Sequence, residues 1–400
     1  MRPLRAVCAA AALAVAAPLL SLAGTGPVVA QPDSTAGATA GAAELTPTHN
    51  PLVALPASGA AYLIRYRSTT VRGEPVTLTG SLLLPRRRPP AGGWPLAVWN
   101  HMTTGGADKC APSTAKRGST ALADMTSGDG IVAALLRDGY AVVRPDYEGI
   151  GSPGPHPYLI GSSLARSVIG AARAVVAAEP RIGREVVLAG HSEGAVAALF
   201  AAAAPRANWG DLRVRAVVGV TPPTRMADIV TGVAKVPVAA GRTTGELVGL
   251  AALLVSGATT VDPDFGRLIA DGGLSARANK LMPAVERVCY RDLASPSLFG
   301  ALAPAELLGL RGGAALARLS AIAGRNDVAH LRLPPGVAVR FDAGLTDAVA
   351  PAPLVAELAQ HYRERGVPVT LALHAGGHAQ VPRRPETAPQ IVEWLRGRVR

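Results

Sequence analysis

Residues 187–199 read Val187-Leu188-Ala189-Gly190-His191-Ser192-Glu193-Gly194-Ala195-Val196-Ala197-Ala198-Leu199. Apolar, partly β-branched residues run up to Gly190, and an Ala-rich stretch begins straight after Gly194. That pattern predicts a buried strand, a tight turn and a helix. Gly-x-Ser-x-Gly inside such a turn is a nucleophile elbow. A sharp turn exposes the Ser192 hydroxyl, and small residues on either side let strand and helix pass closely. The turn also leaves backbone N–H groups at a helix N-terminus, where they can hold an oxyanion.

Outward from the elbow, the same alternation continues. Residues 61–70 and 76–84 read as two early strands joined by Val71-Arg72-Gly73-Glu74. Further strands are expected at 96–100, 140–144, 185–189, 215–220, 337–341 and 367–374. Helices are expected at 130–138, 162–178, 195–204, 351–365 and 389–398. Near-continuous Val, Ile and Leu in the later strands implies an α/β fold with a mostly parallel central sheet, flanked by helices on both faces. The hairpin-like start implies an antiparallel N-terminal edge.

More than a hundred residues separate the strand ending at Val220 from the one starting at Val337. A structureless loop of that size is implausible. Residues 222–335 therefore read as an inserted, mostly helical cap over the carboxyl ends of the strands, with helical patches at 244–254 and 303–310. The core then divides into 56–221 and 336–400. Ligands of open α/β sheets bind at that edge, and an apolar cap there suits an apolar substrate.

The N-terminus has a separate character. Arg2 and Arg5 precede an apolar stretch, and Val28-Val29-Ala30 offers a small-residue cleavage site. Residues 1–30 read as a secretory signal peptide, with a short N-terminal membrane anchor as the alternative, and 31–55 as a disordered leader. No later segment reads as membrane-spanning. The chain carries a formal charge of +12, and loss of Arg2 and Arg5 lowers it to +10. Its basic residues are scattered and its aromatics make up 4%, which argues against nucleic-acid binding. The charge instead suits transient contact with anionic lipid surfaces. Cys110 and Cys289 remain after cleavage. In an exported chain they invite one disulfide, with two buried thiols as the alternative. Neither has the neighbours of a metal ligand, and neither metal nor organic cofactor is implied.

A serine at an elbow needs a base and an acid, in the chain order Ser, acid, His. The stretch 337–347 supplies Asp342 and Asp347. Asp347 lies past a Gly turn at the sheet's carboxyl edge and is the preferred acid, with Asp342 as the alternative. The loop after the last strand holds His374-Ala375-Gly376-Gly377-His378. The Gly pair frees that loop to bring His378 back over Ser192, so His378 is the preferred base. His374, at the strand end, reads as a packed residue. His378 would take the Ser192 proton, while Asp347 fixes its tautomer. One oxyanion donor is expected from the Glu193 amide. The other should come from the loop His101-Met102-Thr103-Thr104-Gly105-Gly106, with Thr103 and Thr104 as candidates and Thr104 preferred. His101 is expected to organise that loop, and Asp146 to support it by hydrogen bonding.

These segments together resemble the secretory lipase family, the lipase A type of α/β-hydrolase, over residues 60–395. Cys110-Ala111-Pro112-Ser113 is similar to that family's Cys-Ala-Pro-Ser motif. Asp146-Tyr147-Glu148-Gly149, followed by Gly154-Pro155-His156-Pro157-Tyr158-Leu159, is similar to its bacterial branch. Ser192, Asp347 and His378 fall where the family has its triad. The resemblance implies an α/β-hydrolase fold with a helical cap, and a Cys110–Cys289 disulfide tying cap to oxyanion loop. Two residues depart from the pattern. Met102 replaces the Gly of a His-Gly pair. Glu193 replaces a small residue, which would put a carboxylate at the pocket edge.

The function expected from this reading is a secreted serine carboxylic-ester hydrolase, acting on lipid esters through an acyl-Ser192 intermediate. An acyltransferase or a serine peptidase of the same fold is an alternative, as is an inactive envelope-binding protein. Acyl chain length and oligomeric state are left open.

Overall fold

The computed structural model describes residues 41–237 and 241–399, with backbone alone at 241–243. The expected signal peptide lies outside the described residues. Among the described residues nine strands form one sheet: β1 (Glu44–Pro47), β2 (Ser58–Thr69), β3 (Pro75–Pro85), β4 (Trp94–Asn100), β5 (Ala141–Pro145), β6 (Ile182–His191), β7 (Arg213–Val220), β8 (Ala338–Gly344) and β9 (Val369–His374). Their order is β1-β2-β3-β5-β4-β6-β7-β8-β9. The first three strands and the β3–β5 pair are antiparallel. From β5 onward every pairing is parallel.

Alternation within the strands divides the core. Val187 and Ala189 of β6 face one side of the sheet with Ala97, Val142 and Val218. They pack under Ile131, Leu135 and Leu136 of the helix Asp129–Asp138 and Ile391 and Leu395 of the helix Thr387–Val399. Val186 and Leu188 face the other side with Val98, Val143 and Val217. Over them lie Leu164, Val168 and Val175 of the helix Gly161–Ala178 and Val196 and Leu199 of the helix Glu193–Ala203. Both faces of the parallel strands are thus covered, which explains their lack of polar alternation in sequence.

Two expectations need correction. Of the leader expected over 31–55, the described part, 41–55, is ordered. Residues 44–47 pair with β2, and Val53 and Leu55 are buried. Main-chain pairing holds this strand, so it needs few apolar side chains of its own. The helical patch expected at 303–310 is only a single 3-10 turn, Pro304–Leu307. The longer helix follows it, at Gly312–Arg325.

Between β7 and β8 the chain leaves the sheet. It forms the helices Met226–Val233, Gly241–Val261, Pro263–Leu268, Ala276–Leu281, Tyr290–Leu293 and Gly312–Arg325, joined by turns. The stretch Thr244–Val261 is long and apolar enough to cross a membrane. Here its apolar face turns inward, with Leu247, Leu250, Ala251, Leu254 and Val255 lining a cavity.

Candidate active site

Ser192 occupies the turn between β6 and the helix Glu193–Ala203 with φ +57° and ψ −117°. A non-Gly residue at positive φ is strained, and the surroundings must hold it there. The Ser192 N–H donates to the Val220 carbonyl of β7 at 2.9 Å, and the Ser192 carbonyl accepts from Ala195 at 2.9 Å. The flanking glycines are required by contact. A Cβ on Gly190 would lie 2.1 Å from the Gly194 carbonyl oxygen, and one on Gly194 would lie 2.0 Å from that of Asn100.

His378 follows β9. Its loop is shaped by Gly376, at φ +109°, and pinned by the Gln380 side chain, which accepts from the Gly377 N–H at 2.8 Å. His378 Nε2 lies 2.7 Å from Ser192 Oγ, and its Nδ1 lies 2.7 Å from Asp347 Oδ2. Asp347 follows β8. Its Oδ1 accepts from the N–H groups of Val349 and Ala350, both at 2.8 Å. Those two donors fix the orientation of the carboxylate beside His378. With Asp347 Oδ2 as the acceptor, Nδ1 is the nitrogen of His378 that carries the hydrogen, which leaves Nε2 free to accept the serine proton. The structure thus brings Ser192, His378 and Asp347 into one hydrogen-bonded line.

Asp342 and His374 go elsewhere. Asp342 accepts two hydrogen bonds from Arg340, at 2.7 and 2.8 Å, and lies 2.8 Å from His374 Nε2. All three are buried. They form an ion-paired cluster of their own.

The Glu193 N–H opens the elbow helix, and the Thr104 N–H lies in the loop after β4. Neither donates to another described residue. Thr104 is fully buried, and its carbonyl accepts from the Tyr290 N–H at 2.9 Å. Thr103 instead shares a 2.9 Å hydrogen bond with the Tyr158 hydroxyl. His101 does organise its loop. Its Nδ1 donates to the Met102 carbonyl at 2.7 Å, its carbonyl accepts from the Tyr147 hydroxyl at 2.9 Å, and its ring stacks on Tyr147. Burial pushes its pKa down to about 3, so the ring is neutral. Asp146 accepts from Thr79 and from both the amide and the hydroxyl of Ser113. Ser113 ends the Cys-Ala-Pro-Ser motif, so Asp146 braces the loop bearing Cys110.

A family model described as secretory lipase matches residues 116–400. The chain belongs to the secretory lipase family. Membership makes it a hydrolase of the lipase/esterase kind. Solved structures share its α/β-hydrolase fold. Candida antarctica lipase A in its closed state superposes with a TM-score of 0.67 at 18% identity, covering 85% of this chain and 77% of that one. The rice cell wall degrading esterase LipA from Xanthomonas oryzae gives 0.67 at 20% identity, covering 90% of this chain and 99% of that one. At such identities the likeness is one of fold. No curated protein sequence matches the chain.

In this secretory lipase, Cys110 and Cys289 form a disulfide with their Cα atoms 5.5 Å apart. It joins the segment after the 101–106 loop to the helical region between β7 and β8. Gly105 bridges to Cys289 as well, and a Cβ there would meet the Cys289 backbone at 2.8 Å. Beside it, Arg291 makes a two-pronged ion pair with the buried Asp124, at 2.6 and 2.8 Å.

A cavity of about 970 Å³, counting its open mouth, reaches from Ser192 into the helical region. Met226, Leu250, Leu254, Phe265 and Leu316 are among the apolar side chains on its walls. Glu193 is not among them. Its side chain is fully buried, which corrects the expectation of a carboxylate at the pocket edge. It points instead to His156, with Oε1 2.8 Å from Nε2.

Two residues near the site have no role assigned by the sequence reading. His191 Nε2 donates to the His378 carbonyl at 3.1 Å, and His156 is the partner of Glu193. Their only signal in sequence is position: one inside the elbow, the other in the Gly-Pro-His-Pro-Tyr-Leu segment.

Proposed function

We propose that this chain is an exported serine carboxylic-ester hydrolase that cleaves lipid esters through an acyl-Ser192 intermediate. The observation that carries the proposal is the pair of 2.7 Å contacts linking Ser192 Oγ, His378 and Asp347 Oδ2. In the first step His378 Nε2 takes the Ser192 proton as Oγ attacks the ester carbonyl carbon. The N–H groups of Glu193 and Thr104 hold the resulting oxyanion. The Asp347 carboxylate stabilises the imidazolium. His378 then returns the proton to the departing alcohol, leaving acyl-Ser192. A water then attacks the acyl carbon while His378 takes its proton; the bond from that carbon to Oγ breaks, His378 returns the proton to Ser192 Oγ, and the acid is released.

Residues 222–335 act in this reading as a cap whose inner wall takes the acyl chain. The apolar lining of the cavity supports a lipid ester over a polar one. Export rests on the N-terminal segment and agrees with the disulfide.

The test is hydrolysis of p-nitrophenyl esters from short to long acyl chains by the secreted protein, with Ser192→Ala alongside. Activity on medium or long chains that vanishes in the variant supports the proposal. A folded protein inactive on every ester refutes it.

A further inference from the structure

We infer that Glu193 and His156 are a pair of positioning residues that hold the two oxyanion N–H donors in register. The inference rests on the ester-hydrolase reading above. It starts from counting protons. His156 Nδ1 lies 2.7 Å from the Glu148 carbonyl, which can only accept, so Nδ1 carries a hydrogen. The 2.8 Å contact between Nε2 and Glu193 Oε1 then needs one further proton. Burial opposes a charge on His156, but Glu193 together with the Glu148 carbonyl and carboxylate more than offsets it and holds the imidazole pKa above its ordinary value. The pair therefore shares one proton between Nε2 and Oε1 and carries no net charge.

That neutrality matters because Glu193 directly follows Ser192. A lone carboxylate there would oppose the negative charge that develops on the substrate oxygen. Paired with His156, it does not. The pair is also anchored. The Glu148 carboxylate accepts from the Val71 amide and the Ser163 hydroxyl, which fixes the carbonyl that His156 uses.

From His156 the contacts run to the second donor. Its ring stacks on Tyr147 at 6.0 Å and meets Tyr158 edge-on at 6.0 Å. Tyr147 donates to the His101 carbonyl, and Tyr158 bonds Thr103. His101 and Thr103 belong to the loop that presents Thr104. One buried network thus holds the helix start bearing the Glu193 N–H and the loop bearing the Thr104 N–H.

Packing alone does not account for the pair. Glu193 Oε2 is buried without a partner among the described residues. A buried ion pair with an unsatisfied oxygen is a poor stabiliser beside an apolar pair of the same volume. Its presence is explained if it orients the donors.

The test compares kcat and KM on a soluble short-chain p-nitrophenyl ester, with thermal unfolding beside it. Removing the carboxylate in Glu193→Leu should lower kcat about 10-fold with KM little changed, because the donor is misplaced rather than lost. His156→Leu should cost about 100-fold, since it leaves the Glu193 charge unpaired beside the oxyanion. The double variant should recover to the level of Glu193→Leu, a coupling that a merely structural pair would not show. Glu193→Gln, whose amide can donate to a neutral His156, should regain most of the loss seen in Glu193→Leu. Where the leucine variants do not fold, Tyr158→Phe removes a single hydroxyl and should still lower kcat several-fold.

A wild-type protein without Ser192-dependent activity overturns the hydrolase reading and this inference together. An active wild type overturns the inference alone if kcat of Glu193→Leu or of Tyr158→Phe is unchanged. So does a double variant as slow as the product of the two single losses.

Discussion

The imidazole of His191 donates from Nε2 to the main-chain carbonyl of His378 at 3.1 Å, while its Nδ1 accepts from the Ser127 hydroxyl at 3.2 Å. The residue before Ser192 therefore holds the loop that carries His378. Burial keeps His191 neutral, with its pKa well below the ordinary value, and the Ser127 bond, in which Nδ1 accepts, needs that neutral form. Replacing it in His191→Ala should lower kcat about 10-fold, since small misplacements of a base are costly. The same change should cost about 1–3 kcal/mol of stability by stranding the Ser127 hydroxyl and the His378 carbonyl. Steady-state kinetics and urea unfolding of this variant give both numbers. A kcat equal to wild type would show that the loop holds itself.

The two aspartates near the sheet edge predict opposite phenotypes. Asp347→Asn should drop kcat by about 10⁴-fold, because an amide favours the wrong tautomer of His378, while stability changes little. Asp342→Asn should leave Arg340 without its buried counter-charge and cost about 3–5 kcal/mol. Activity per folded molecule should survive it. Comparing kcat with the urea midpoint for the two variants separates these roles. Swapped outcomes would make Asp342 the catalytic acid.

Stability should fall on the acid side. His101 and His191 are buried and neutral, with folded-state pKa values below that of an unfolded histidine, for His101 down to about 3. Below about pH 6.5 the unfolded chain binds protons that the folded chain refuses, so stability declines from there toward pH 3. His156 has the opposite sign. Its raised pKa contributes stability that is complete below the unfolded value and lost as pH rises through the folded one. Thermal unfolding from pH 4 to 10 should therefore show a maximum near neutrality. His101→Asn should flatten the acid limb, and an unchanged limb would count against the buried neutral ring.

Much of this was legible in the sequence, and the reasons are local. The elbow is readable because steric contact forces glycine at 190 and 194, and because buried parallel strands leave uninterrupted apolar runs. His378 is readable because Gly376 and Gly377 bend its loop. Asp342 against Asp347 is harder. Both lie near the end of one strand, and only Arg340, two residues away on the same face, removes Asp342 from contention. The β1 strand is held by main-chain bonds that its polar residues do not announce. The helix Gly312–Arg325 starts with two glycines, which hide its helical period. His156 meets Glu193 across 37 positions of chain, a distance that no local pattern encodes.

Chain-length preference should follow from the cavity wall. Leu250 and Leu254 stand one turn apart on the helix Gly241–Val261 and both line the cavity. Leu254→Trp fills part of that space. It should shift the preferred acyl chain to shorter lengths and leave kcat/KM on the shortest ester within about 3-fold, because pocket contacts discriminate by only a few kcal/mol. An unchanged chain-length profile would mean that the acyl chain lies elsewhere.

The central claim is that Ser192 becomes covalently acylated, with His378 as its base. It is tested most directly by incubating the protein with a p-nitrophenyl alkylphosphonate and weighing the product by mass spectrometry. The account predicts one phosphonyl group per chain, mapped to Ser192, with release of p-nitrophenol. It also predicts labelling slowed by orders of magnitude in His378→Ala. A folded protein that takes up no label, or takes it at another residue, would contradict it.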